Sequence, residues 1–106
     1  MVWVRACGVG DIEPGEAVVV EAVPPVAVFN VDGEFLATAD TCTHAESSLA
    51  DGYIEGEQVE CSWHMARFCL RTGKALTYPA TTDLPTYRTQ VRDGDVFVDV
   101  HATQPH

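Results

Sequence analysis

Two short motifs constrain this chain more than any other feature of its sequence. Cys42 stands two residues before His44, Cys61 stands three residues before His64, and sixteen residues lie between the two motifs. Each motif offers one thiolate and one imidazole on a tight loop. A two-iron cluster with two cysteines on one iron and two histidines on the other needs this inventory. Each loop must then give its cysteine to one iron and its histidine to the other, so neither ligand can sit on a long flexible arm.

A zinc site is the alternative for the same four side chains, because two cysteines and two histidines also suit tetrahedral zinc. Zinc fingers with this ligand set usually pair cysteine with cysteine and histidine with histidine along the chain. The order here is Cys–His twice, which favours the iron cluster. A zinc-stabilised interaction module stays open, and the metal content would separate the two.

Short segments rich in Val, Phe, Tyr and Thr alternate with Gly, Pro and Asp, which predicts an all-β fold. Asp32-Gly33 and Asp93-Gly94 are strong signals for two-residue hairpin turns. No window has a convincing period of 3.6 residues, so we expect no long helix. Frequent turns between short antiparallel strands favour a sandwich or a small barrel. The predicted strands are 2–5, 17–23, 26–31, 34–38, 86–92 and 95–100.

The length of 106 residues predicts one domain, 1–106. Between about residues 40 and 84 the strand pattern weakens, and Cys, His and Gly concentrate there. We interpret this segment as a smaller cluster-binding subdomain inserted into the larger β-structure. Gly52, Gly56 and Gly73 mark candidate tight turns within it.

The charge balance excludes some partners. The chain has 16 Asp and Glu against 6 Lys and Arg, with a formal net charge of −10. Nucleic acid is not an expected partner, because binding phosphates needs clustered cations. An acidic surface either suits a partner with a basic docking patch or only keeps the protein soluble. We find no targeting signal and no membrane-spanning run, and therefore expect a cytoplasmic protein.

Taken together, the two motifs resemble the Rieske family signature. The segments 29–34 and 67–73 are similar to the ferredoxin components of bacterial aromatic-ring dioxygenase systems. His64-Met65 followed by 67–69 is especially similar to the biphenyl, cumene and carbazole dioxygenase ferredoxins. The resemblance covers nearly the whole chain. It implies a Rieske fold, an antiparallel β-sandwich with a smaller inserted subdomain that carries the cluster.

The resemblance also implies a function. It makes Cys42, His44, Cys61 and His64 the ligands of one Rieske 2Fe–2S cluster. The protein would then carry single electrons from a flavin-containing, NAD(P)H-dependent ferredoxin reductase to the terminal oxygenase of an aromatic-degrading system. Both partners would bind transiently, and a monomer is the expected state. The chain itself would not be an enzyme, and its sequence does not indicate which aromatic compound or which reductase is involved.

Two other classes of protein share these motifs. A Rieske oxygenase needs a second domain with a mononuclear iron site, for which 106 residues leave no room. A small subunit built permanently into a larger reductase, such as an assimilatory nitrite reductase, stays open. Such a subunit would copurify with its large partner.

Departures from high-potential Rieske proteins predict the reduction potential. Those proteins have an additional cysteine in each ligand loop, where this chain has Ser47 and Trp63. They also have a serine and a tyrosine that donate to the cluster, where this chain has Ala66 and Phe68. Fewer donors stabilise the reduced state less, so we expect a potential near the low end of the Rieske range of about −150 to +300 mV.

Further residues receive simpler interpretations. We expect Cys7 and Cys69 to be buried structural thiols without a disulfide. Trp63 and Met65 either shield the cluster or contact a partner. The loop from Pro79 to Pro85 either covers the cluster or is an ordinary connection. The outer nitrogens of His44 and His64 should face solvent, and the tail histidines, His101 and His106, are not expected to bind metal. Three acidic residues near the first ligand loop either orient a docked partner or are ordinary solvated charges: Asp40, Glu46 and Asp51.

Overall fold

The computed structural model describes residues 2–41, 48–61, 66–77 and 83–101. These residues form short antiparallel strands and a single-turn 3-10 helix at Leu49–Asp51. No helix in these ranges has the length and apolar character needed to cross a membrane. The strands are β1 (Trp3–Gly8), β2 (Ala17–Val20), β3 (Val26–Val31), β4 (Glu34–Ala39), β5 (Tyr53–Glu55), β6 (Gln58–Glu60), β7 (Arg67–Cys69), β8 (Thr86–Tyr87), β9 (Thr89–Arg92) and β10 (Asp95–Asp99).

These strands make three antiparallel sheets. One sheet has the order β1-β10-β9, and a second has the order β2-β3-β4-β8. The third, β5-β6-β7, is local in sequence and is inserted between β4 and β8. The all-β prediction with antiparallel pairing is therefore confirmed. The small sheet falls inside the segment predicted as a cluster-binding subdomain, whose boundaries, like the single domain 1–106, stay predictions.

Strand β3 is the centre of the fold because all six of its residues are buried. Successive side chains of a strand point to opposite faces. Ala27, Phe29 and Val31 accordingly join the apolar group that contains the residues of the small sheet. Val26 and Val28 join a second apolar group with residues of β1 and β10. The sheet that contains β3 therefore forms the middle layer, and the small sheet is packed on one of its faces.

Both predicted hairpin turns are present. Asp32 and Gly33 connect β3 to β4 with φ angles of 51° and 92°. Asp93 and Gly94 connect β9 to β10 with φ angles of 52° and 80°. Two successive positive φ angles are the mark of a type I′ turn, whose twist matches that of the strands it joins. The Asp-Gly pairs thus fix the register of both hairpins.

The predicted strand 86–92 is wrong in one respect, because it contains two strands that belong to different sheets. The short β8 pairs with β4, whereas β9 pairs with β10. Arg88 separates them, and its carbonyl accepts a hydrogen bond from the Asp99 N–H at 2.9 Å. The change of sheet places β8 beside the end of β4 that leads into the first Cys–His motif.

Candidate metal centre

Cys61 is the one predicted ligand that the structure describes, since Cys42, His44 and His64 lie outside the described residues. It directly follows β6 and is only 1% exposed. Its neighbours form the apolar group between the small sheet and β3. The most deeply buried large side chains of this group are Phe29, Leu49, Phe68, Leu70 and Leu84.

The second Cys–His motif begins with Cys61 at the loop end of the β6–β7 hairpin. Glu60 of β6 pairs with Arg67 of β7 across that end. The Cys61 N–H donates to the Ala66 carbonyl at 2.7 Å. Arg67 also contacts the Glu60 carboxylate at 3.2 Å and donates its backbone N–H to Thr77 Oγ1 at 3.0 Å. The hairpin therefore fixes both ends of the segment 62–65, which contains the predicted ligand His64.

The first Cys–His motif is closed at its base in a different way. Thr41 and Ser48 form an isolated antiparallel bridge on either side of the segment 42–47. The backbone N–H of Leu49 donates to the Asp40 carbonyl at 2.6 Å, and the Ser48 hydroxyl donates to the Asp40 carboxylate at 2.7 Å. The expectation that Asp40 orients a docked partner is wrong, because this residue is only 7% exposed and its carboxylate binds the chain that leaves the loop. Sequence reasoning did not find this role.

Gly52, which follows the first motif in the chain, lies against the backbone just before the second motif. A Cβ placed on Gly52 would overlap the backbone carbonyl of Glu60, the residue before Cys61. Its φ angle of −81° is ordinary, so the requirement for glycine here is steric contact and not backbone conformation. The chain leaving the first motif therefore lies directly against the backbone that leads into the second. The sequence marked Gly52 as a turn but not as a contact.

A third segment is anchored beside the small sheet. The Leu84 N–H donates to the Gly73 carbonyl at 2.7 Å, and Asp83 Oδ1 accepts the Ala75 N–H at 2.8 Å. The Pro85 carbonyl accepts the Ala39 N–H at 3.0 Å, which joins the segment to the end of β4. Residues 78–82 lie outside the described residues. Whether the loop from Pro79 to Pro85 covers a cluster therefore stays a prediction.

The residues that surround Cys61 suit a buried iron–sulfur centre. Ala66 and Phe68 occupy the positions where high-potential Rieske proteins have a hydroxyl, and both are fully buried. Two thiolates and two imidazoles are the ligand set that a Rieske cluster uses. Among the residues that the structure describes, no group of three or more His, Cys, Asp or Glu side chains is arranged to hold a metal ion. The prediction of these four ligands therefore rests on the chemistry of their side chains and on the contacts that fix the ends of the two loops.

Arg71 joins the small sheet to the middle layer on the surface. It donates to both carboxylate oxygens of Glu34 at 2.7 and 3.0 Å, and its Nε donates to Glu57 at 3.1 Å. Hydrogen bonds from Arg71 hold the pKa of Glu34 and of Glu57 below their usual values. Glu57 belongs to the β5–β6 turn and Glu34 begins β4. This ion-pair cluster, which the sequence did not reveal, thus connects two sheets.

The two remaining cysteines differ. Both are free thiols, and Cys7 is buried as expected. Burial, together with Asp11, raises the pKa of the Cys7 thiol. The expectation of burial is wrong for Cys69, which is partly exposed on the outer face of the small sheet. Burial raises the pKa of Cys69, but hydrogen bonds from the Thr72 hydroxyl and from the N–H groups of Thr72 and Arg71 outweigh it, so that this pKa is lowered.

Other predictions concern residues that lie outside the described ranges or on the surface. Asp51 is exposed, and so is His101, whose backbone N–H donates to Asp99 at 3.0 Å. These positions leave Asp51 available for docking and place His101 at the end of β10. The predicted residues outside the described ranges are Ser47, Glu46, Trp63, Met65 and His106.

Comparison with known proteins agrees with this arrangement. Residues 2–88 match the family model for the Rieske [2Fe-2S] domain. The 3-phenylpropionate/cinnamic acid dioxygenase ferredoxin subunit of Escherichia coli K12 is 48% identical over 103 residues, which cover 96% of this chain and 97% of the relative.

Two solved structures have the same fold over almost their whole length. One chain of the complex of reduced oxygenase and oxidized ferredoxin in carbazole 1,9a-dioxygenase superposes with a TM-score of 0.93, at 34% identity and 97% coverage of both chains. The Sphingomonas yanoikuyae B1 ferredoxin superposes with a TM-score of 0.86, at 38% identity, covering 92% of this chain and 98% of the other.

Proposed function

The chain belongs to the Rieske [2Fe-2S] family, and from that premise we propose that it is the ferredoxin component of an aromatic-ring dioxygenase system. It passes single electrons to a terminal oxygenase and catalyses no reaction of its own. The observation that carries this proposal is the 48% identity to a dioxygenase ferredoxin subunit across 97% of that subunit's length. That relative of matching length is named as a ferredoxin subunit, and in our proposal the oxygenation chemistry belongs to another protein.

The ligands in this proposal are Cys42 and Cys61 on one iron and His44 and His64 on the other. When bound, a Rieske cluster supplies a couple that accepts and releases one electron. The burial of Cys61 and the anchored ends of both loops support the assignment. Two neutral imidazoles in place of two thiolates leave the site less negative, which raises the potential above that of an all-cysteine centre.

The chain's own residues keep water from one side of this site. Leu49, Phe68, Leu70 and Leu84 are at most 1% exposed and pack in the same apolar group as Cys61. The segments that contain the histidines follow β4 and β6 in the chain. We place the docking face at these loops, because a partner that takes an electron through a histidine must approach the side opposite the core.

The partners of the proposed carrier are the terminal oxygenase and a flavin-containing, NAD(P)H-dependent ferredoxin reductase. Both contacts are transient, since a carrier has to release one partner before it meets the other. An acidic chain, with a net charge of −10, suits basic docking patches on both partners. A monomeric state and a cytoplasmic location stay predictions of the same proposal.

The test is the visible absorption and low-temperature EPR spectrum of the purified protein before and after reduction with dithionite. We expect a red-brown protein that bleaches and gives a rhombic signal with an average g value below that of all-cysteine clusters. Cys61→Ser and His64→Ala should each abolish that signal. A colourless protein that contains zinc, and no iron or sulfide after anaerobic reconstitution, would contradict the proposal.

A second measurement tests the role in a dioxygenase system. The reduced protein is mixed rapidly with the terminal oxygenase of a 3-phenylpropionate dioxygenase system, and reoxidation is followed by absorption. Reoxidation within the turnover time of the oxygenase is the expected result. Stable copurification with a large reductase subunit, together with failure to reduce the oxygenase, would instead place the protein among permanently bound Rieske subunits.

A further inference from the structure

Asp40 spans the base of the loop that contains Cys42 and His44. Its backbone N–H donates to the Pro25 carbonyl at 3.0 Å, which fixes the incoming chain. Its carboxylate oxygen Oδ1 accepts the Ser48 hydroxyl at 2.7 Å and the Ala50 N–H at 3.1 Å, both on the outgoing chain. Asp40 therefore connects the chain that enters the first ligand loop to the chain that leaves it.

The carboxylate of Asp40 is an unusual group for this task. The residue is 7% exposed, and no arginine or lysine in the described part of the chain forms an ion pair with it. A buried carboxylate without a cation costs more to desolvate than a neutral amide that accepts the same two hydrogen bonds. An asparagine could accept the same two hydrogen bonds, so the negative charge is a property of Asp40 that can be separated from its hydrogen bonding.

The charge lies close in the chain to a proposed ligand of the cluster. Asp40 precedes Cys42 by two residues, and two peptide units span at most about 7 Å between their Cα atoms. A buried negative charge beside the start of a ligand loop disfavours the addition of an electron to a cluster that the loop holds. The carboxylate is thus placed to lower the affinity of the site for an electron as well as to hold the loop.

We propose that Asp40 is a positioning residue of the cluster site with two separable effects. Its hydrogen bonds fix the loop that contains Cys42 and His44, and its charge lowers the reduction potential. This inference rests on the proposed function, because it takes those two residues as cluster ligands. The role of Asp40 itself is carried by its contacts with Ser48 and Ala50 and by its burial.

Two substitutions separate the two effects. Asp40→Asn removes the charge but keeps an oxygen that accepts from Ser48 and Ala50, so the cluster should be retained while the midpoint potential rises. Asp40→Ala removes both hydrogen bonds, and the rate of iron loss to a chelator should rise about tenfold, as expected when a buried polar contact of typical strength is lost. The matched control is Asp51→Asn, which removes one negative charge from an exposed residue of the 3-10 helix that follows the loop.

Hydrogen exchange supplies a measurement that does not depend on the cluster. The backbone N–H of Ala50 should exchange faster in Asp40→Ala than in Asp40→Asn or in the unsubstituted protein. Ser48→Ala removes one of the two donors to the carboxylate and should speed iron loss by a smaller factor. This variant keeps the test informative if Asp40→Ala does not fold.

The outcomes are distinct. If the unsubstituted protein gives no Rieske EPR signal, the proposed function fails before the variants are compared. If the signal is present and Asp40→Asn has the same potential as Asp51→Asn, the charge effect is refuted. Iron loss and Ala50 exchange that are unchanged in both Asp40→Ala and Ser48→Ala would refute the positioning effect.

Discussion

The backbone of Gly73 lies directly against the backbone of Leu84. The Leu84 N–H donates to the Gly73 carbonyl at 2.7 Å, and a Cβ on Gly73 would overlap the Leu84 carbonyl oxygen. Gly73 also has a φ angle of +79°, which disfavours any residue with a side chain. This contact anchors the segment that follows residues 78–82 to the end of the small sheet.

Gly73→Ala should therefore destabilise the protein by about 2–5 kcal/mol, the sum of left-handed strain and overpacking. The matched control is Gly56→Ala, which has a similar φ of +60° but open space around the added Cβ. That control should cost about 1–2 kcal/mol. Anaerobic urea unfolding gives both values, and equal losses would show that the contact with Leu84 has no energetic weight.

The reduction potential should lie near the low end of the Rieske range, close to about −150 mV. Phe68→Tyr introduces a hydroxyl at a fully buried position next to the apolar group of Cys61. A hydrogen bond from that hydroxyl would favour the reduced state and raise the potential by roughly 20–60 mV. Phe35→Tyr is the control, because Phe35 belongs to the other apolar group. A redox titration that finds the unsubstituted midpoint well above zero would refute this prediction.

The ion-pair cluster of Arg71 should make stability depend on acid pH. Hydrogen bonds from Arg71 lower the pKa of Glu34 and of Glu57 from their usual value of 4.5 in the folded state. The stabilising contribution is therefore complete above pH 4.5 and is lost as the pH falls through the lowered folded values. In Arg71→Ala, stability should decrease less steeply below that pH than in the unsubstituted protein. The substitution should lower the melting temperature less than Gly73→Ala does.

The control for this prediction is Arg5→Ala, which removes an exposed arginine that contacts a single carboxylate, that of Asp95, at 3.1 Å. Its pH profile should follow that of the unsubstituted protein more closely than the Arg71→Ala profile does. Thermal unfolding from neutral pH to the acid limit of cluster stability measures both. Identical profiles for the two variants would show that the contact of Arg71 with two carboxylates does not change how stability depends on pH.

Cys69 should react with iodoacetamide faster than Cys7 in the folded protein. The thiolate is the reactive form, and the pKa is lowered at Cys69 but raised at the buried Cys7. Thr72→Val removes the hydroxyl that hydrogen-bonds the Cys69 sulfur and should slow its labelling several-fold near neutral pH. Peptide mass spectrometry follows both sites. Equal labelling of Cys7 and Cys69 in the folded state would contradict the assignment.

Much of the β-structure could be predicted from local patterns. The Asp-Gly turns and the valine-rich segments predicted the bounds of β3 and β10 to within one residue. Turn chemistry and the alternation of apolar and polar residues act over short distances in the chain. The division of 86–92 into β8 and β9 could not be predicted in this way. It depends on which sheet each part joins, and those partners are β4 and β10.

The candidate site could also be predicted only in part. Ligand type and loop length are visible in the sequence and predict Cys42, His44, Cys61 and His64 as ligands, and this set stays a prediction. The contact of Gly52 with Glu60 and the burial of Asp40 were not visible. The first depends on the backbone after one motif lying against the backbone before the other. The second depends on tertiary packing, because the sequence does not show whether an aspartate before a loop is solvated or buried.

The antiparallel pairing of β1 with β10 places residues from opposite ends of the sequence side by side, with Trp3 opposite Asp99. The Asp99 carboxylate accepts the Val2 N–H at 3.0 Å, which joins the two ends further. Shortening the chain from either direction therefore damages the same sheet. A brief linker from the end of β10 to the start of β1 would allow the chain to be opened elsewhere, for example at the β5–β6 turn, without separating these two strands.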